Sequence, residues 1–121
     1  MKKDIYLYLI ILFIAFLLNT SFFKLINQKV GIAYGLNNQY TYPSLVSITS
    51  ILENSFSHTY YIFYILVDKN TYKDENKIKF KNLEQKYERC EINIIEVSEE
   101  SFKNANTKRY PSATYYRLLL A

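Results

Sequence analysis

A short apolar segment at residues 30–35 is followed by two asparagines, Asn37 and Asn38, and by the aromatic Tyr40. A carboxamide both donates and accepts hydrogen bonds, so either asparagine could bind the edge of a base or a ribose hydroxyl. A tyrosine ring can stack on a flat base, which is worth roughly 1–3 kcal/mol per base. The alternative is structural, because asparagines are common turn residues and Tyr40 could pack on a following helix. The residues alone therefore leave two interpretations, a nucleoside-binding turn and a plain turn.

Two charged residues further along the chain also have both a functional and a structural interpretation. Arg117 lies in an apolar and aromatic segment, residues 113–121, and the planar guanidinium of an arginine matches phosphate and sugar oxygens. The alternative is an arginine whose stem packs on the protein while its charged end reaches water. Asp68 follows a long apolar run, where it could be catalytic or could stabilise a turn or a helix end.

The signatures of several other functional classes are missing from the sequence. It has no Gly-x-Gly-x-x-Gly or Gly-Lys-Ser/Thr phosphate loop and no Gly-x-Ser-x-Gly nucleophile elbow. No group of His, Cys and carboxylate residues has metal-ligand spacing, and Cys90 is the only cysteine. The net charge of +4 is modest, and basic and acidic residues alternate along residues 69–86. We therefore predict no nucleic-acid partner and no metal ligand in this chain.

The spacing of apolar residues predicts the elements that position these side chains. Alternating or continuous apolar residues predict three strands, at residues 30–34, 60–67 and 92–97. Helical spacing predicts one helix that begins at Pro43 and another that extends to Cys90. This order is a βαβαβ unit, in which right-handed crossovers produce a parallel sheet. Ligands bind such sheets at the carboxyl ends of the strands, which is where the turn at residues 35–40 lies.

The first 28 residues differ in character from the rest of the chain. Two lysines precede an apolar run at residues 5–18, and three small polar residues separate this run from further apolar residues. With the interruption included, the segment reaches the roughly 20 residues that a transmembrane helix needs. We predict a single-pass N-terminal membrane anchor through residues 5–26, with a cleaved signal peptide as the alternative. Lysines on both sides of the segment leave its orientation in the membrane undecided.

Four segments together resemble the family 8 glycosyltransferases, which include glycogenin and bacterial enzymes that extend lipopolysaccharide. These segments are IAYGLNNQY at residues 32–40, SILENS at 50–55, YILVD at 64–68 and SATYYRLL at 112–119. They occur in the family's order, and the resemblance spans residues 30–121. It implies an α/β, Rossmann-like nucleotide-diphospho-sugar transferase half-fold of the GT-A type, with a parallel sheet. In this chain the predicted membrane helix would precede that half-fold.

The resemblance also implies retaining transfer of a hexose from a UDP-sugar, usually with Mn²⁺, to a glycan or lipopolysaccharide acceptor. The residues at matching positions of the nucleotide-sugar site are Ala33, Tyr34, Asn37, Asn38, Tyr40 and Arg117. By this resemblance Asn37 contacts the nucleoside and Tyr40 stacks on uracil. The main chain at residues 33–34 approaches the base, and Arg117 lies near the diphosphate or the donor sugar.

The sequence departs from the family's pattern at two points. Many bacterial members have two aspartates where this chain has Asn37 and Asn38, so the contact to the nucleoside would be uncharged. The family's metal-binding Asp-x-Asp follows the Tyr-Tyr-Arg-Leu segment, and no such motif follows before Ala121. We therefore expect residues 29–121 to be the truncated N-terminal, nucleotide-binding part of a glycosyltransferase domain, inactive by itself, with the Mn²⁺ ligands outside this chain. The alternative is a non-catalytic, membrane-tethered remnant or interaction module.

Overall fold

A computed structural model describes residues 1–26, 28–56, 58–102, 104 and 112–120 of the chain. Its strands are β1 (Lys29–Gly35), β2 (Tyr60–Asp68) and β3 (Cys90–Val97), and its α-helices are α1 (Lys2–Ile26), α2 (Thr41–Asn54) and α3 (Asp74–Lys86). Short 3₁₀ helices are formed by Asn38–Tyr40, Glu99–Phe102 and Ser112–Leu120. The sheet is parallel, with β2 between β1 and β3. The predicted βαβαβ order is therefore present, as a Rossmann-like half-fold.

Two hydrophobic clusters lie on opposite faces of the sheet. The larger cluster packs α2 and α3 on the sheet and contains Ile48, Phe63 and Phe80, which are fully buried. The smaller cluster joins Leu66 and Tyr116 on the other face, under the C-terminal 3₁₀ helix. Because β2 is covered on both faces, its sequence is continuously apolar rather than alternating.

The helix boundaries differ from the prediction at both helices. Helix α2 begins at Thr41, two residues earlier than expected, and Pro43 lies in its first turn, where a missing N–H costs no hydrogen bond. The prediction that the second helix reaches Cys90 is wrong, since α3 ends at Lys86 and Cys90 begins β3. Tyr87 ends the helix in an extended conformation, and its hydroxyl donates to the carboxylate of Glu53 on α2.

Side chains fasten the helices to the sheet at two further points. On α3, Glu84 accepts a hydrogen bond from the N–H of Ile92 in β3, and Lys81 donates to the Ile92 carbonyl over 3.0 Å. These contacts occupy backbone groups that an edge strand would otherwise offer to another chain. At the carboxyl end of α2, the guanidinium of Arg89 donates to the carbonyls of Leu52, over 2.9 Å, and of Phe56. A cation at this position also stabilises the helix dipole.

The structure contradicts the predicted membrane anchor. Within the described part of the chain, none of the helices combines the length and the apolarity needed to span a membrane. The uninterrupted apolar run of α1 covers only residues 5–18, short of the roughly 20 residues that a span requires, and charged residues precede it. The predictions of a membrane helix in the fold class and of a single-pass membrane localisation are therefore wrong. The side chains of residues 20–26 lie outside the described set.

Candidate functional site

The turn after β1 presents Tyr40 and one side of Asn37 to solvent. The Asn37 Oδ1 accepts a hydrogen bond from the Gln39 N–H over 3.1 Å, and the Asn37 carbonyl accepts one from the Tyr40 N–H over 3.2 Å. Asn37 thus caps a single 3₁₀ turn, Asn38–Tyr40, that leads directly into α2. Tyr40 is 58% exposed. Among the hydrogen bonds of the described residues, none uses the Asn37 Nδ2, so this donor and the Tyr40 ring are both open to a ligand.

Asn38, in contrast, is held by the protein itself. Its Oδ1 accepts from the Lys73 N–H and from the Asn76 Nδ2, each over 3.0 Å, and its Nδ2 donates to the Thr71 carbonyl over 2.8 Å. Both acceptor positions of the amide oxygen are therefore used. The side chain of Asn38 connects the turn after β1 to the loop after β2 and to the start of α3. The predicted site thus separates into an asparagine with a free donor, Asn37, and one that fixes the turn.

The loop after β2 is shaped by Asp68. One carboxylate oxygen of Asp68 accepts from the Asn70 N–H over 2.8 Å, and the other accepts from the Thr71 hydroxyl over 3.0 Å. Asp68 is only 8% exposed. Of the two roles that the sequence left open, the structure shows the turn role. The bond from the Asn70 N–H is an Asx turn, in which an aspartate accepts from the backbone two residues further on. The Thr71 hydroxyl adds a second bond that was not singled out from the sequence.

A second link joins the same two segments. The hydroxyl oxygens of Thr41, at the start of α2, and of Tyr72, in the loop after β2, are 2.6 Å apart and buried. Burial raises the pKa of Tyr72 above its ordinary value of 10.0, while the hydrogen bond to Thr41 and the charge of Lys77 act in the opposite direction. Neither hydroxyl was singled out from the sequence, because the contact depends on the packing of two loops.

We expect the contribution of the buried Tyr72 hydroxyl to stability to decline at high pH. Since folding raises the pKa of Tyr72, the folded state favours the neutral phenol, so its contribution is complete below pH 10.0 and declines as the pH rises through the folded pKa. The Tyr72→Phe variant should be less stable than the wild type by about 1 kcal/mol near neutral pH. In urea unfolding the difference should shrink above pH 10. A difference that stays constant with pH would contradict this prediction.

The C-terminal 3₁₀ helix reaches the same end of β1 from the opposite face of the sheet. A β-carbon built on Gly35 would lie 2.6 Å from the Ala113 carbonyl oxygen, so the two backbones are nearly in contact. The next turn of this helix carries Arg117, whose side chain is exposed. Arg117 lines a pocket of about 300 Å³ together with Thr114, Tyr115 and Leu118.

The structure divides the predicted site residues into three groups. Asn37, Asn38 and Tyr40 share one turn, and Arg117 lies on a helix that meets the strand before that turn. Ala33 and Tyr34 lie within β1, where their backbones pair with Tyr64 and Ile65 of β2. The Tyr34 hydroxyl is 2.8 Å from the Ser47 hydroxyl on α2, so its side chain faces the helices rather than the 3₁₀ helix of Arg117.

The described residues do not fit the Mn²⁺ that the family resemblance implies. In the ranges that the structure covers, no three His, Cys, Asp or Glu side chains come together as a metal site would require. Asp68, at the end of β2, uses both carboxylate oxygens within its own loop.

Comparison with known protein families gives a match over most of the sheet and the turn after β1. The family model described as Glycosyl transferase family 8 matches residues 31–121. The matched region contains the turn after β1, both crossover helices and the C-terminal 3₁₀ helix. No curated protein and no solved structure matches the chain at a significant level.

Proposed function

The chain belongs to glycosyl transferase family 8, and we propose that its described residues bind the nucleotide of a UDP-sugar donor. Membership makes the protein a glycosyltransferase, whose partners are a sugar donor and an acceptor. The finer proposal is retaining transfer of a hexose to a glycan or lipopolysaccharide acceptor. The observation that supports the nucleotide site is the exposed ring of Tyr40 beside the free amide donor of Asn37, at the carboxyl end of β1.

The uridine is assigned to the turn after β1. The ring of Tyr40 stacks on the uracil, since an exposed aromatic face binds a planar base with little change in the protein. The Asn37 Nδ2 donates to O4 of the uracil, the carbonyl oxygen that cytosine lacks, while its Oδ1 continues to cap the 3₁₀ turn. The main chain at Ala33 and Tyr34 leads into this turn and approaches the base. Asn38 contributes by holding the turn in place rather than through a free amide.

The diphosphate is assigned to Arg117. Its exposed guanidinium lines a pocket, on a helix that contacts β1 directly before the turn. A guanidinium presents a planar set of donors that binds phosphate oxygens in pairs, and its charge is permanent. The uridine and the diphosphate would therefore be bound from the two faces of one sheet edge.

Isothermal titration of the full-length protein with UDP and with CDP tests the proposed nucleoside site. Uracil carries a carbonyl oxygen at the position where cytosine carries an amino group, so a donating amide favours uracil. We expect UDP to bind more tightly than CDP by about tenfold, the value of one hydrogen bond of about 1.4 kcal/mol. Absence of UDP binding, or equal affinity for the two nucleotides, would contradict this assignment.

A further inference from the structure

We propose that Asn76, a buried residue of α3, is a positioning residue for nucleotide binding and acts on Tyr40 and Asn37 through Asn38. This inference rests on the proposed nucleotide site. Asn76 is 6% exposed, so it is not available to contact a ligand in the turn. Its influence must therefore pass through the side chains that it holds.

The amide of Asn76 is fixed at both ends. Its Nδ2 donates to the Asn38 Oδ1 over 3.0 Å, and its Oδ1 accepts from the Lys79 Nζ over 3.2 Å. A buried amide is costly unless its polar atoms have partners, so this arrangement strongly favours one orientation. In that orientation Asn76 presents a donor to the turn after β1.

Asn38 transmits this restraint to the turn. We call its three hydrogen bonds, with Thr71, Lys73 and Asn76, the Asn38 clamp. Tyr40 follows two residues later within the same 3₁₀ turn, and the next residue, Thr41, is linked to Tyr72. The backbone of Tyr40 is thus held on both sides against one segment, residues 71–76.

An exposed ring needs this support more than a buried one does. Tyr40 is 58% exposed, so packing restrains its ring less than that of a buried tyrosine, and the direction of the ring depends more on the backbone of the turn. A turn that is already in the binding conformation loses less entropy when the ligand binds. Loss of the Asn76 donor should therefore weaken nucleotide binding, beyond any loss of stability.

The test measures UDP affinity of the full-length protein by titration, well below the unfolding temperature of each variant. Asn76→Ala removes the amide, and Asn76→Asp keeps its size and its oxygen toward Lys79 but places an oxygen opposite the Asn38 Oδ1. We expect the Kd for UDP to rise about tenfold in both variants. An Asn38→Ala, Asn76→Ala double variant should bind no more weakly than Asn38→Ala, because both changes remove the same hydrogen bond.

Arg89→Met is the matched control for lost stability. It removes the cap at the far end of α2 without touching the Asn38 clamp, so it should lower the unfolding temperature and leave the Kd unchanged. A Kd that rises as much in Arg89→Met as in the Asn76 variants would overturn the positioning role. An unchanged Kd in the Asn76 variants, with weaker binding in Tyr40→Ala, would also overturn the positioning role. In that case the proposed nucleotide site would still be supported. If neither the Asn76 variants nor Tyr40→Ala changes the affinity, or if the wild type does not bind UDP, both proposals fall.

Discussion

Replacing Gly35 with alanine is expected to displace the C-terminal 3₁₀ helix from the sheet. The added β-carbon would lie 2.6 Å from the Ala113 carbonyl oxygen and 3.3 Å from the Tyr116 β-carbon. The carbonyl oxygen belongs to the backbone, so it cannot move away by a change of rotamer. Relief requires the whole helix to shift, which loosens the small cluster of Leu66 and Tyr116. We expect the free energy of unfolding to fall by about 1–3 kcal/mol, as for other overpacked sites.

Gly31→Ala is the matched control, on the same face of the same strand. Its β-carbon would lie 3.5 Å from the Tyr64 ring, an ordinary van der Waals distance. This variant should be neutral or slightly more stable, because glycine weakens a strand interior. Urea unfolding of the two variants provides the comparison. Equal unfolding midpoints would contradict the close approach of the Ala113 backbone to Gly35. Because the displaced helix carries Arg117, Gly35→Ala should also weaken the binding of UDP more than the binding of uridine.

The strands and their order could be predicted from the sequence because burial determines their composition. The apolar run at residues 60–67 has polar residues at both of its ends, which is typical of a central parallel strand. The end of α3 could not be predicted in this way. Its helical spacing continues by coincidence into Tyr87 and Cys90, and the tertiary contacts of Tyr87 end the helix earlier. The N-terminal prediction failed because it counted polar residues as part of an apolar span.

The candidate site was only partly predictable, for a related reason. The position of Asn37 and Tyr40 after β1 follows from local order, so the sequence identified them. The different roles of Asn37 and Asn38 depend on three residues that are more than 30 positions away in the sequence but adjacent in space. These residues are Thr71, Lys73 and Asn76. Gly35 shows the same limit. Sequence alone marks it as a turn glycine, whereas the structure shows that its missing side chain admits another segment of backbone.

The largest expected effect on ligand binding comes from Tyr40→Ala. Stacking on a base contributes roughly 1–3 kcal/mol, so the Kd for UDP should rise by about 5- to 150-fold. Tyr40 is 58% exposed, and removal of its ring should leave the unfolding temperature nearly unchanged. Tyr40→Phe should bind almost as well as the wild type, because stacking requires the ring and not the hydroxyl. Titration with UDP measures the Kd of the wild type and of both variants.

Tyr42→Ala separates a specific contribution of Tyr40 from the general loss of an exposed tyrosine. Tyr42 is 75% exposed and lines a pocket on the surface of α2 with Leu45 and Val46. Its removal should leave UDP affinity unchanged. If Tyr42→Ala and Tyr40→Ala weaken binding equally, the effect would reflect the surface as a whole. If Tyr40→Ala binds UDP as the wild type does, the turn after β1 is not the uridine site, because no other group in that turn offers a ring to the base.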